Sequence, residues 1–177
     1  MLSAELLLFL WWLIVPPSSP VQTPALELPA AARNVLDVKF PGWKYADCSD
    51  EVRQFLKQEQ GNAPPNLISG DFDGNGRADY AALIVHGVTR VEDGQLAGPD
   101  AAIVVFLAQE HGFEFAIIDD PDGEYLMLIR KGDKAFDYER QQEFTFEHDA
   151  IDAVIFEKGA TSYVYEQGHF RAIITGD

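Results

Sequence analysis

The apolar positions of this chain fall into three regimes. The first is an unbroken apolar run, LLLFLWWLIV, over residues 6–15. It is too short to span a bilayer, which needs roughly 20 such residues. It suits the h-region of a secretory signal, and the Pro/Ser-rich segment PPSSPVQTPA follows it. The preceding MLSAE carries Glu5 and no Lys or Arg, so the n-region departs from the usual pattern. The expectation is a signal peptide or N-terminal anchor over 1–25, cleaved near Ala25. A buried N-terminal helix is the alternative, and Pro16, Pro17 and the paired tryptophans weigh against it.

The second regime has helical spacing. ELPAAARNVLDVKF reads as a short helix that FPGW stops, because Pro41 disfavours helix at the residue before it. SDEVRQFLKQEQG reads as a second helix. Ser49 or Asp50 caps it, and Val52, Phe55 and Leu56 share one face. Gly61 sits where a left-handed stop belongs.

From Leu67 the period changes to that of strands. ADYAALIVHG and AAIVVFLAQ are too apolar on both faces for an exposed edge and predict buried strands. The segment VTRVEDGQLAGPD between them reads as a polar loop. FEFAIID and YLMLIR are further strands. KGDKAFDYERQQEFTFEHD predicts a hairpin in which Phe136, Tyr138, Phe144 and Phe146 alternate with polar residues. IDAVIFEKG, TSYVYEQ and HFRAIITG close the chain as three more strands. The fold class is therefore α+β, mainly antiparallel β, with two short N-terminal helices followed by about eight strands in blade-like meanders. One domain over 26–177 accommodates it.

A weak internal repeat is visible in the strand half, with the chance likeness of two antiparallel meanders with aromatic edges as the alternative. Residues 105–120 line up with 163–177 after a one-residue gap, and ADYAALIVHG parallels IDAVIFEKGA upstream. In the second copy FEHDAIDAV offers Asp149 and Asp152 without the spacing of an acidic loop.

Charge narrows the partners. The 13 basic and 29 acidic residues give a net charge of −16, with no basic cluster. Nucleic acid and anionic membrane surfaces are disfavoured, because both are bound by basic patches. No glycine-rich loop precedes a helix, so nucleotide binding is not indicated. A membrane contact is expected only through the N-terminal segment, if uncleaved.

The chemistry concentrates in GDFDGNGRAD. Counting from Asp71, positions 1, 3 and 5 are Asp71, Asp73 and Asn75, and position 6 is Gly76. Position 7 is Arg77, which can offer its backbone carbonyl, and position 9 is Asp79. A hard cation such as Ca²⁺ takes six to eight oxygens at about 2.3–2.6 Å, and alternate residues on a curled loop supply them. An acidic surface turn is the alternative, but a turn does not need acids at 1, 3 and 9. Position 12, the bidentate Glu of a helix–loop–helix sensor, is Ala82, and a strand follows. The pattern running into DYAALIV resembles the calcium loops of FG-GAP/VCBS repeats and of integrin α-chain propellers. That resemblance covers about 50 residues, from Leu67 to Asp120. It implies one Ca²⁺ held by Asp71, Asp73, Asn75, the Arg77 carbonyl and Asp79, with the ion bracing a turn of a blade. The Phe-Gly and Gly-Ala-Pro elements of those repeats are absent, and closed propellers use at least about four blades. FPGW, one GDFDGNG loop and a YVYEQGHF ending also resemble small exported bacterial proteins of undefined function, which implies a secreted or periplasmic location.

Other chemistry is thin. His86, His111, His148 and His169 show no zinc spacing. His148 beside Asp149 offers a base with an orienting acid, but Ser162 lacks a nucleophile elbow and nothing local activates Cys48. Cys48 reads as a small buried side chain, and Trp43 and Tyr45 as core anchors. The expected function is a non-enzymatic, calcium-braced domain that meets a protein or glycan partner, with the 88–100 segment as one candidate surface. The alternatives are an exported hydrolase with an acidic cleft near the same loop, and a periplasmic inhibitor of another enzyme.

Overall fold

The computed structural model describes residues 26–59, 63–87, 90–92, 95–119 and 121–176. The expected leader and the Gly61 stop lie outside them. In chain order the elements are α1 (Ala30–Lys39), β1 (Lys44–Tyr45), α2 (Asp50–Glu59), β2 (Leu67–Gly70), β3 (Asp79–His86), β4 (Arg90–Glu92) and β5 (Gln95–Ala97). They continue with β6 (Asp100–Gln109), β7 (Gly112–Asp119), β8 (Tyr125–Ile129), β9 (Lys134–Asp137), β10 (Gln142–Thr145), β11 (Ala150–Ile155), β12 (Gly159–Glu166) and β13 (His169–Ile174). The chain is mainly antiparallel β with two helices.

The expectation of about eight strands falls short, since the described residues hold thirteen. β1 and β2 have two and four residues, too few to show an alternation. They line up end to end on one edge of β3, with Tyr45 opposite Ile84 and Leu67 opposite Ala82. The expected polar loop over 88–100 instead contains the short hairpin β4–β5, and residues 88, 89, 93 and 94 lie outside the description.

Two larger sheets form the body. The first has the order β1-β3-β6-β7, with β2 also on β3, and the second runs β13-β12-β11-β8. They pack face to face. Ile68, Phe72, Ala81, Leu83, Ile103, Val105 and Leu107 from the first meet Leu126, Ile151, Ala153 and Tyr163 from the second. The opposite face of the first sheet, with Ala82, Ile84, Val104 and Phe106, is covered by Leu28, Ala32 and Leu36 at α1. Strands β3 and β6 are therefore buried on both faces, which is why their sequences are apolar without alternation. On the outer face of the second sheet, Val52 and Leu56 of α2 pack with Cys48 and Tyr125. The β9–β10 hairpin covers the rest through Phe144 and Phe146. Ser49 Oγ accepts the Val52 N–H at 3.3 Å and caps α2. Trp43 and Tyr45 pack edge to face at 5.2 Å against the α1 cluster.

The two sheets share one plan. β2-β3-β6-β7 and β8-β11-β12-β13 are both antiparallel and run in the same order. Ala81 pairs with Ile68 and Val105, and Ile151 pairs with Leu128 and Tyr163. This register matches Val105 to Tyr163, as the sequence alignment does. It also moves the upstream match. Two residues before Ala81 is Asp79, and two before Ile151 is Asp149, so Asp149 and not Asp152 is the counterpart of Asp79. Between that match and its turn, the β12–β13 hairpin is shorter by one residue pair, which removes two residues rather than one. A hairpin with a fixed turn can only shorten pair by pair.

Candidate metal centre

The 71–79 loop joins β2 to β3 and hangs from Asp79. Its carboxylate is buried at the base of the loop and bonds in two directions. Oδ2 accepts the Phe72 N–H at 2.8 Å, and Oδ1 accepts the Ala108 N–H at 2.6 Å from β6. Ser69 Oγ donates to the Asp79 carbonyl at 2.7 Å. Burial pushes the Asp79 carboxyl up to about 6, against the downward pull of the two N–H groups. Among the described residues no cationic side chain pairs with this buried carboxylate.

Within the loop, Asp71 Oδ2 accepts the Gly76 N–H at 3.0 Å. Asp71 Oδ1 is buried and has no hydrogen-bond partner. Asp73 takes the Asn75 N–H at 3.0 Å and the Asn75 amide at 2.8 Å. Asn75 Nδ2 also donates to the Ala108 carbonyl at 2.9 Å, and its Oδ1 accepts the Arg77 N–H. Gly74 and Gly76 both have positive φ, at 76° and 82°, which lets the chain curl this tightly.

Of the five expected ligands, the structure brings Asp71, Asp73 and Asp79 together. One oxygen from each lies within 4.8 Å of the others, the spacing of a cation cage. The Asn75 side chain faces Asp73, Ala108 and Arg77 through the bonds above. The Arg77 guanidinium reaches the Gln109 carbonyl at 3.4 Å. The donor set is all oxygen and anionic, with an unpartnered buried lone pair on Asp71, and it fits a hard divalent cation.

The second sheet closes over this loop. Asp71 N–H donates to Asp149 Oδ2 at 3.1 Å, and Asp149 N–H donates to the Asp71 carbonyl at 3.2 Å. Asp149 Oδ1 accepts the Lys131 N–H at 3.0 Å, and Arg130 pairs with Oδ2 at 3.2 Å. Burial alone would raise the Asp149 carboxyl, but the Lys131 and Asp71 N–H groups and the Arg130 guanidinium outweigh it and hold it below its ordinary value. The His148 ring lies on Gly74, so close that a Cβ there would stand 2.3 Å from the ring. Its Nδ1 is buried without a partner. Sequence reasoning noted Asp149 only as an acid beside His148 and as a failed copy of the acidic loop. The repeat itself carried the signal, but its upstream half was misaligned by three residues.

A cavity of about 430 Å³ opens beside the loop, with Asp73, Glu147, His148, Asp149, Tyr165 and Glu166 in its wall. Glu166 is bonded twice by Arg171, both contacts at 3.0 Å, and this pairing lowers its carboxyl below the ordinary value. Ser162 is no nucleophile here. It is fully buried, donates to Asp152 at 2.7 Å and lies 2.8 Å from the Thr175 hydroxyl. Cys48 is buried, and burial pushes its thiol up, away from the reactive thiolate. Among the described residues no helix is long and apolar enough to cross a membrane.

Comparison of the chain with protein-family models, with curated proteins and with solved structures finds no match.

Proposed function

We propose that this chain is an extracytoplasmic, non-enzymatic domain in which one Ca²⁺ braces the 71–79 loop between two blade-like sheets, and that the braced body meets a protein or glycan partner. One observation carries the reading. Three carboxylates converge within 4.8 Å while Asp71 Oδ1 is buried without a hydrogen bond. An unpaired buried acceptor costs about 1–3 kcal/mol, more when charged. A divalent ion removes that cost at Asp71 and offsets the mutual repulsion of the three carboxylates. The resemblance of the Asp71–Asp79 spacing to FG-GAP/VCBS loops supports the same ion, and the apolar leader supports export.

Bound Ca²⁺ supplies positive charge and no further chemistry. Asp71, Asp73 and Asp79 would hold it, and the Asn75 oxygen and Arg77 carbonyl are within the same short loop. The affinity suits an extracellular setting, about 10⁻⁴–10⁻³ M. Calorimetric titration of the calcium-free protein tests the site: one binding event is expected, and a flat titration at millimolar calcium contradicts it.

The cavity beside the loop favours a second reading, an exported hydrolase acting on a glycan. Such an enzyme needs one acid held protonated beside one held ionised. Asp149 is held ionised by the Lys131 and Asp71 N–H groups together with Arg130, and Glu166 by Arg171, which makes both poor proton donors. The binding-domain reading is therefore preferred. Turnover of a glycoside panel that disappears in Glu147→Gln would reverse the preference.

A further inference from the structure

Asp149 immediately precedes β11 of the second sheet and lies 78 residues from Asp71 in sequence. Its backbone N–H and its carboxylate grip the Asp71 peptide from both sides, at 3.2 and 3.1 Å. Asp71 is thereby fixed at its N–H and its carbonyl. Its own Oδ2 is fixed by Gly76 N–H, so the direction of the unpartnered Oδ1 follows from these three bonds. Asp149 is itself held by the Lys131 N–H and by Arg130, both from the end of β8. The register explains the position: Asp149 is the second sheet's counterpart of Asp79. Asp79 ties its own loop down, and Asp149 ties down its own strand end and the neighbouring sheet's loop.

We infer that Asp149, anchored by Arg130, is a positioning residue for the calcium site, so that ion binding by the first sheet and docking of the second are one coupled equilibrium. The inference rests on the calcium reading above. Outer-shell partners of metal ligands act by orienting them, and their loss costs roughly 10–100-fold in affinity. Coupling is reciprocal, so the ion tightens the Asp71–Asp149 seam by the same factor by which the seam tightens the ion.

The test is calcium titration by calorimetry on wild type, Asp149→Ala, Arg130→Ala and Ile173→Ala, together with amide hydrogen exchange with and without calcium. Asp149→Ala is expected to weaken calcium binding about tenfold, at the lower end of that range. Arg130 is mostly exposed, so its truncation leaves the fold intact, and a weakening of about threefold is expected because one anchor of Asp149 remains. Ile173 is buried in the outer cluster of the second sheet, which includes no residue of the 71–79 loop. Ile173→Ala lowers the melting temperature in chelator but leaves calcium affinity at the wild-type value, which separates positioning from general destabilisation. In wild type, calcium is expected to slow exchange of the Asp149 and Lys131 amides. If wild type binds calcium while Asp149→Ala and Arg130→Ala bind it equally well, the positioning role is wrong. If wild type binds no calcium, the underlying site is wrong instead.

Discussion

Asp79 and Ala108 are joined by a 2.6 Å hydrogen bond from the Ala108 N–H to Asp79 Oδ1, linking the base of the 71–79 loop to the far end of β6. The other oxygen of the same carboxylate holds Phe72. Asp79 is thus a latch as well as a candidate ligand, whereas the Asp73 carboxylate, among the described residues, accepts from Asn75 within the loop. The two acids are predicted to part company in mutation. Asp79→Ala leaves two backbone N–H groups without acceptors, at about 1–3 kcal/mol each, with or without calcium. Asp73→Ala costs under about 1 kcal/mol in chelator, the worth of an ordinary hydrogen bond, and abolishes calcium stabilisation. Urea unfolding in chelator and in calcium separates the two outcomes.

The glycines of the loop make a second contrast. Both have positive φ, so each Gly→Ala change costs about 1 kcal/mol of backbone strain. At Gly76 nothing lies within 4 Å of the added methyl, and strain is the whole effect. At Gly74 the methyl meets the His148 ring at 2.3 Å, and the ring must leave. Gly74→Ala is therefore expected to cost about 1–3 kcal/mol beyond Gly76→Ala, as overpacking does. His148→Ala should relieve most of that excess, which a double-mutant cycle measures.

One buried and one half-buried carboxyl predict a pH dependence. Asp79 is raised from 3.8 to about 6 by burial, so in calcium-free protein the native state prefers its protonated form. Its stabilising contribution is fully present below 3.8 and is lost as pH rises through about 6. Calcium requires the ionised form, so its binding near pH 6 releases protons and its affinity rises from pH 5 to pH 7. Proton release is measured by calorimetry in buffers of different ionisation enthalpy. Asp152 is also raised by burial, although Ser162 and Thr175 pull it down, and it has the same sign. Asp152→Asn keeps an acceptor for Ser162 and removes the titration. The variant is expected to lose less stability than wild type between pH 4 and pH 7 in chelator, measured by urea midpoints.

Much of this was legible in the chain. The unalternating apolar segments at 79–86 and 100–109 announced strands buried on both faces, and the structure covers them with α1 on one side and the second sheet on the other. The acid spacing of 71–79 announced a loop whose carboxylates converge, because alternate positions on a tight curl point inward. β1 and β2 were not legible, since two to four residues carry no period. The hairpin at 90–97 lay hidden in a polar stretch for the same reason. The role of Asp149 was out of reach of local pattern. Its partner Asp71 is 78 residues away, and only the paired registers of the two sheets reveal Asp149 as the counterpart of Asp79. A repeat read from side chains alone slips easily in strands, where period 2 offers several nearly equal alignments.

The central claim is that an ion completes the Asp71–Asp73–Asp79 cluster, and thermal unfolding tests it most directly. At 10 mM calcium and a dissociation constant of about 10⁻⁴–10⁻³ M, binding to the native state alone adds about 1.4–2.7 kcal/mol. For a chain of this size that raises Tm by about 3–10 °C over the chelated protein. The rise is expected to be absent in Asp73→Ala. Superimposable melting curves of wild type in chelator and in excess calcium would contradict the account.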